Sequence, residues 1–127
     1  MQFVVMAEWD LERHGVPVET LRAWARGPGA VAYEGLPGMA LKSWYSDPHA
    51  NVWGAVYLLT DPHALDDDRL PRTVGDRTGP IGVRPDRVRW HVLERTVRGD
   101  ADLDDLLAAA SDPADPADQR ERTPEDA

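Results

Sequence analysis

Residues 2–9, QFVVMAEW, constrain this chain more than any other stretch, because they are apolar on both faces of a two-residue repeat. Phe3, Val5, Ala7 and Trp9 fall on one side, Val4 and Met6 on the other. Such a strand belongs at the centre of a sheet that is covered twice. With 127 residues, 42% of them hydrophobic, there is material for one modest core, which excludes a multidomain enzyme.

The remaining elements arrange themselves around that strand. Residues 10–16 read as a polar turn, and Pro17 suits the first position of a helix in which Val18, Leu21, Trp24 and Ala25 recur at helical spacing. Gly27, Pro28 and Gly29 end or kink this helix, and residues 31–34 resume it for one turn. Leu36-Pro37-Gly38 launches a second strand, residues 39–46 (MALKSWYS). The polar connection 47–51 leads to a third, residues 52–60 (VWGAVYLLT), so the two form an antiparallel hairpin. Asp61 and Pro62 start a short helix running to about Leu70, residues 71–87 read as a long loop, residues 88–97 as a fourth strand, and residues 103–109 as a small terminal helix. The order strand, helix, strand, strand, helix, strand predicts an α+β, ferredoxin-like split βαβ fold over residues 1–110: a four-stranded antiparallel sheet with both helices on one face.

Charge separates the end of the chain from the rest. Of the net −9, most lies from Arg98 onward, where three arginines face ten carboxylates. Residues 111–127 (SDPADPADQRERTPEDA) hold three prolines and no large apolar side chain, and are expected to form a disordered acidic tail. Its plain role is to solubilise; the sharper reading is a docking segment for a basic partner. The acidic balance argues against nucleic acid or an anionic membrane as partner. No apolar run approaches a span, and Met1 enters the first strand with no basic leader, so the expected location is the cytoplasm. The absence of cysteine excludes disulfides, thiolate metal sites and thiol nucleophiles.

PGMALKSW (residues 37–44) followed by GAVYLLTD (residues 54–61) resembles the YdhR-type monooxygenases of the dimeric α/β-barrel superfamily, which show a Pro-Gly turn, a Lys-x-Trp strand and a Gly-Gly/Ala-x-Tyr-Leu-x-x-Asp strand at comparable spacing. The motif covers about 25 residues, and the element order extends it loosely over residues 2–97. The resemblance implies a dimeric α/β barrel, two sheets face to face, with an apolar pocket in each subunit. It also implies oxidation of aromatic polyketide-like substrates with O₂ and no metal or flavin; others in the superfamily degrade haem. Lys42, Trp44, Gly54 and Tyr57 match motif positions. Pro71, Gly75, Gly79 and Pro80 depart from the family's longer second helix. Asn51, Trp53 and His91 share the residue types of the relatives' Asn, Trp and His constellation without its spacing, so no catalytic role is carried over to them.

The residues themselves suggest a site. Of five tryptophans, Trp9, Trp44, Trp53 and Trp90 fall on predicted strands; ringed around a cavity they suit a flat aromatic ligand, and otherwise they fill the core and an interface. Trp44, Trp53 and Trp9, with Asn51, are the candidate substrate contacts. Lys42, the chain's single lysine, shares a strand face with Trp44, where an ammonium orients a phenolate or carboxylate; the alternative is an exposed strand charge. Tyr57 lies near Lys42 or Leu41 depending on the hairpin register, and is equally readable as a core tyrosine. His91, on a face with Arg89 and Leu93, is the candidate general base, with a hydrogen-bonded sheet histidine as the alternative. The repeated Asp-Pro-His-Ala at 47–50 and 61–64 invites a metal, but its copies stand at opposite ends of one strand, roughly 30 Å apart at about 3.3 Å per residue, and Asp-Pro is ordinary turn chemistry. No metal is expected.

These features together suggest a small cofactor-independent monooxygenase acting on a hydrophobic, aromatic polyketide-like substrate, with His91 as base, Lys42 and Tyr57 stabilising the anion, and Trp44 and Trp53 as walls. A redox-neutral cyclase or isomerase uses the same equipment, and a non-catalytic dimeric ligand-binding module is the reading from another class. Haem is disfavoured because no histidine falls on the first predicted helix. A sheet with helices on one face leaves Val and Trp residues bare on the other, and a second copy covers them most simply. Sedimentation at micromolar concentration is therefore expected to give a homodimer of twice 14.1 kDa; a well-behaved monomer would rule out the barrel.

Overall fold

A computed structural model describes residues 1–65 and 79–107. Strand β1 (Phe3–Asp10) runs through the interior of a four-stranded antiparallel sheet of order β2-β3-β1-β4, where β2 is Met39–Asp47, β3 is Val52–Leu59 and β4 is Arg87–Val92. This is the ferredoxin-like strand order, and the strand that is apolar on both faces occupies a central position in it.

Three short helices connect β1 to β2: α1 (Leu11–His14), α2 (Val18–Trp24) and α3 (Ala30–Tyr33). Helix α1 folds from the stretch that reads as a polar turn. Its Leu11 is buried and donates its amide to the Asn51 carbonyl at 2.9 Å, and Gly15 ends it in a left-handed conformation. Helix α2 begins after Pro17, as the sequence predicts. The chain then kinks through the turn Ala25–Gly29, where Gly27 (φ −118°, ψ −106°) leaves the helical region just before Pro28, and α3 resumes the helix for one turn.

One face of the sheet carries the core. Val5, Ala7 and Trp9 of β1 and Trp53, Ala55, Tyr57 and Leu59 of β3 pack with Leu11, Leu21, Tyr33, Leu36, Ala64 and Leu65. The opposite face presents Val4, Met6, Val56 and Leu58, all half-buried.

Both Asp-Pro-His-Ala copies form turns. Asp47 Oδ1 accepts the amides of His49 and Ala50 (3.0 and 3.1 Å) in the β2–β3 hairpin, and Asp61 Oδ1 accepts the His63 amide (2.9 Å) at the start of a 3-10 turn, Pro62–Leu65. Residues 66–70, the rest of the helix expected from Asp61, lie outside the described residues, as do most of the long loop and the acidic tail. Strand β4 ends at Val92 and not at residue 97. Its one neighbour among the described residues, β1, begins at Phe3 opposite Val92, and the bond from the Leu93 amide to the Gln2 carbonyl (2.8 Å) is the last that β1 supplies there.

Contacts divide the chain into Met1–Thr96 and a second unit from Val97. In that second unit α4 (Leu103–Leu107) begins where Asp102 Oδ1 accepts the Asp104 amide at 3.0 Å, and Leu106 and Leu107 are exposed. Among the described residues no helix is long and apolar enough to cross a membrane.

Gly54 is required by a side chain, not by its backbone. The Tyr45 ring crosses it from the neighbouring strand, and a Cβ there would stand 2.2 Å from Tyr45 Cζ. Gly54→Ala is expected to destabilise the fold by about 1–3 kcal/mol in chemical denaturation, the range for overpacking a closed site. Adding Tyr45→Ser should recover most of the loss, and an undiminished Gly54→Ala protein would show that the ring moves freely.

Candidate functional site

The hairpin register, which the sequence leaves open, places Lys42 opposite Tyr57, and β1 places Val5 on the far side of Tyr57. A bulge between Met39 and Leu41 sets this alignment. Lys42 therefore projects onto the core face, where its ammonium lies 3.2 Å from the ring centroid of Tyr33, 4.3 Å from that of Trp44 and 4.6 Å from that of Tyr57. Such stacking favours the charged amine. The rings also hold one another: Tyr33 and Trp44 meet edge to face at 6.0 Å, Trp24 and Trp44 at 5.6 Å, and Tyr33 and Tyr57 lie 6.2 Å apart.

Tyr57 is fully buried, and its hydroxyl makes no hydrogen bond of ordinary geometry among the described residues, with the Tyr33 phenol close enough to act on it. Burial pushes this phenol well above its ordinary pKa, and the neighbouring Tyr33 phenol adds to the shift. Tyr57 thus stays protonated and can donate to an acceptor that enters. An ammonium and a phenol donor within an aromatic wall suit a ligand with a flat apolar body and an anionic oxygen.

The structure brings Lys42, Tyr57 and Trp44 together and adds Tyr33 and Trp24, which sequence reasoning did not select. Both lie on helical positions, and the kink that aims Tyr33 was visible only as a break. Trp9 and Trp53 sit opposite each other farther along the same face, buried in the core, with Trp9 Nε1 donating to the Val83 carbonyl at 3.0 Å. Asn51 is an exposed hairpin residue in the left-handed region (φ 54°), and its described role is the carbonyl that caps Leu11.

His91 is separated from this group. It pairs with Val4 on the opposite face of the sheet and is exposed, whereas Trp90 pairs with Val5 and takes the place in the Lys42–Tyr57 row. Side chains alternate along β4, so Arg87, Arg89 and His91 share the open face. Within one chain, the expected grouping of His91 with Lys42 and Tyr57 is not formed.

A polar cluster, which sequence reasoning missed, occupies the end of the open face. Arg87 makes a two-pronged contact with Asp10 (2.9 and 2.9 Å) and reaches Glu8 at 3.2 Å, while the Tyr45 hydroxyl donates to Glu8 at 2.5 Å. Hydrogen bonding to Arg87 holds the Asp10 carboxyl below its usual range. Burial, with the Glu8 carboxylate, pushes Tyr45 up to about 12. Nearby, Asp86 accepts the Asp10 amide (2.7 Å), His14 Nε2 (2.9 Å) and Arg13 (2.9 Å). His14 thus lies on the one-turn α1, ahead of the helix predicted from Pro17, and is engaged by Asp86. Among the described residues no three side chains group as metal ligands.

No protein-family profile and no curated protein matches the chain. Among solved structures, a Chloroflexus aurantiacus protein assigned by name to the antibiotic biosynthesis monooxygenases is similar at 9% identity and a TM-score of 0.49, covering 77% of this chain and 98% of its own. Rv0793 from Mycobacterium tuberculosis is similar at 14% identity and a TM-score of 0.41, with the same coverage. At these values neither neighbour transfers a residue or a reaction.

Asp86 yields a pH dependence. Burial raises its carboxyl pKa, but the Asp10 amide, His14 and Arg13 outweigh that and hold it below the ordinary value. A depressed folded-state pKa stabilises the fold above the unfolded value, about 3.9, and that stability is lost as pH falls through the folded-state value. Asp86→Asn is expected to cost about 1 kcal/mol at neutral pH, the low end because Arg13 stays in solvent, and to flatten the loss of stability below pH ~4 in acid-unfolding curves. Parallel curves for the two proteins would show that Asp86 does not fasten this segment.

Proposed function

We propose that this chain is a cofactor-independent monooxygenase whose site around Lys42 and Tyr57 binds a hydrophobic aromatic hydroxy compound as its anion. The observation that carries the reading is the Lys42 ammonium stacked on three aromatic rings beside a fully buried Tyr57 hydroxyl that makes no hydrogen bond of ordinary geometry among the described residues. The ligand's ionised oxygen faces Lys42 Nζ and accepts from the Tyr57 hydroxyl, and Trp44 and Tyr33 flank its ring. Charge developing on that oxygen is stabilised most where water is excluded.

Ionisation makes the substrate ring electron-rich enough to reduce O₂ directly. One oxygen atom enters a ring carbon as a quinone carbonyl; the other leaves as water with the hydroxyl hydrogen and the hydrogen of that carbon. The substrate loses four electrons and O₂ gains four, so no outside reductant is needed. The oxidative choice is supported by the likeness of residues 37–44 and 54–61 to YdhR-type monooxygenases. The proposal includes a homodimer closed through the open sheet face, supported by its half-buried Val4, Met6, Val56 and Leu58. His91, across the sheet from Lys42, has no part in it.

The test uses 2-hydroxy-1,4-naphthoquinone, anionic at neutral pH, and its neutral 2-methoxy ether as binding probes. Lys42→Met is expected to weaken the hydroxy compound about tenfold, or ~1.4 kcal/mol, and the ether by less than about twofold. His91→Gln should leave both unchanged. Equal weakening of both probes by Lys42→Met would overturn the anion site. Conversion of a hydroxylated anthracene without oxygen uptake would replace the oxygenase with a redox-neutral isomerase.

A further inference from the structure

Gly29 stands out because its backbone does not need glycine. Its dihedrals (φ −63°, ψ −46°) are those of an ordinary α-helix, where alanine is the better residue. What crowds a side chain there is Trp24: a Cβ on Gly29 would lie 3.0 Å from three atoms of the indole, Cδ2, Cε2 and Cε3. The main chain at the end of the kinked turn thus rests directly on the Trp24 ring, and Gly29 is buried there. Trp24 in turn meets Trp44 edge to face at 5.6 Å with an interplanar angle of 78°, and Trp44 both stacks with Lys42 and abuts Tyr33.

We propose that Gly29 is a positioning residue of the Lys42 site, acting through Trp24 and Trp44 to set the ring stack over the ammonium. The inference rests on the reading of Lys42 as the anion-binding group. The break at Gly27 divides the work between two helices. Trp24, on α2, meets Trp44, and Tyr33, on α3, meets Lys42 itself, and the contact of Gly29 with Trp24 joins the two segments beyond the break. A methyl group on Gly29 forces the indole outward by a few tenths of an ångström, and the displacement reaches Lys42 through Trp44.

Gly29→Ala separates positioning from stability, since the helical backbone favours the new residue while the indole opposes it. The expected result is an altered near-ultraviolet circular dichroism signal from the Trp24–Trp44 pair, with affinity for 2-hydroxy-1,4-naphthoquinone weakened about fivefold and the 2-methoxy ether little affected. The melting temperature should fall by no more than about 3 °C, less than ~1 kcal/mol would move it in a small domain. Gly29→Ala with Trp24→Phe removes part of the obstructing ring and should restore the affinity to within about twofold of wild type. Wild-type dichroism and affinity in Gly29→Ala would overturn the proposal, as would failure of Trp24→Phe to rescue. Should the dichroism change while Lys42→Met leaves the hydroxy probe unaffected, the anion reading fails and Gly29 remains only a determinant of ring packing.

Discussion

The pairing of β1 with β3 on one side and β4 on the other decides which chemical groups in this protein meet. Antiparallel partners face the same way, so each register row is a line of side chains on one face. Lys42, Tyr57, Val5 and Trp90 form one such row on the core face; Ser43, Val56, Met6 and Arg89 form the next on the open face. A shift of one residue in any pairing exchanges the two sets. The core-face row is held by Val5, Tyr57 and the helices packed on them, and the positions of Lys42 and His91 follow from it.

The two faces solve the problem of polarity differently. On the open face, charges are satisfied by one another: Arg87 takes Glu8 and Asp10, and Tyr45 takes the remaining oxygen of Glu8 across the space that Gly54 leaves. Exposed pairs of this kind contribute little to stability, but the two-pronged Arg87–Asp10 contact carries direction. With Asp86, it fixes where the chain returns from the β3–β4 connection, and Ile81 and the Val83 carbonyl of that returning segment reach the core and Trp9. On the core face, the Lys42 ammonium is met by aromatic rings, whose faces stabilise a cation.

Much of the fold was legible because it depends on local chemistry. The doubly apolar β1, the Pro17 helix start, the Gly-Pro-Gly break and the Asp-Pro turns each carry their own signal and appear near the expected places. The length of β4 was not legible from its own alternation, since a strand ends where its partner ends, and that partner lies over eighty positions earlier in the chain. The candidate site was half legible. Lys42, Trp44 and Tyr57 carry parity along their strands, but their alignment depends on a bulge with no mark in the sequence. Tyr33 and Trp24 come from the other side of a kink whose angle no periodicity encodes. His91 was chosen for its residue type, and parity alone, once the register was known, sets it apart.

Tyr57 bears most directly on why this face reads as a site and not only as a core. Leaving a buried hydroxyl without a partner costs about 1–3 kcal/mol, a large share of a small domain's net stability. Phenylalanine would fill nearly the same volume without that cost, which supports the proposed role for the oxygen at this position. Val5, Ala55 and Leu59 of the surrounding core are apolar, the Tyr33 phenol adjoins Tyr57, and the Lys42 ammonium lies 4.6 Å from the Tyr57 ring centroid. The hydroxyl and the ammonium are therefore already oriented and partly desolvated before any ligand arrives. An incoming anionic oxygen gains a hydrogen bond and an opposite charge at once, without the ordering cost that flexible groups would impose. On the proposed reading, the hydroxyl that folding does not require becomes the group that selects an acceptor, a role that packing does not supply.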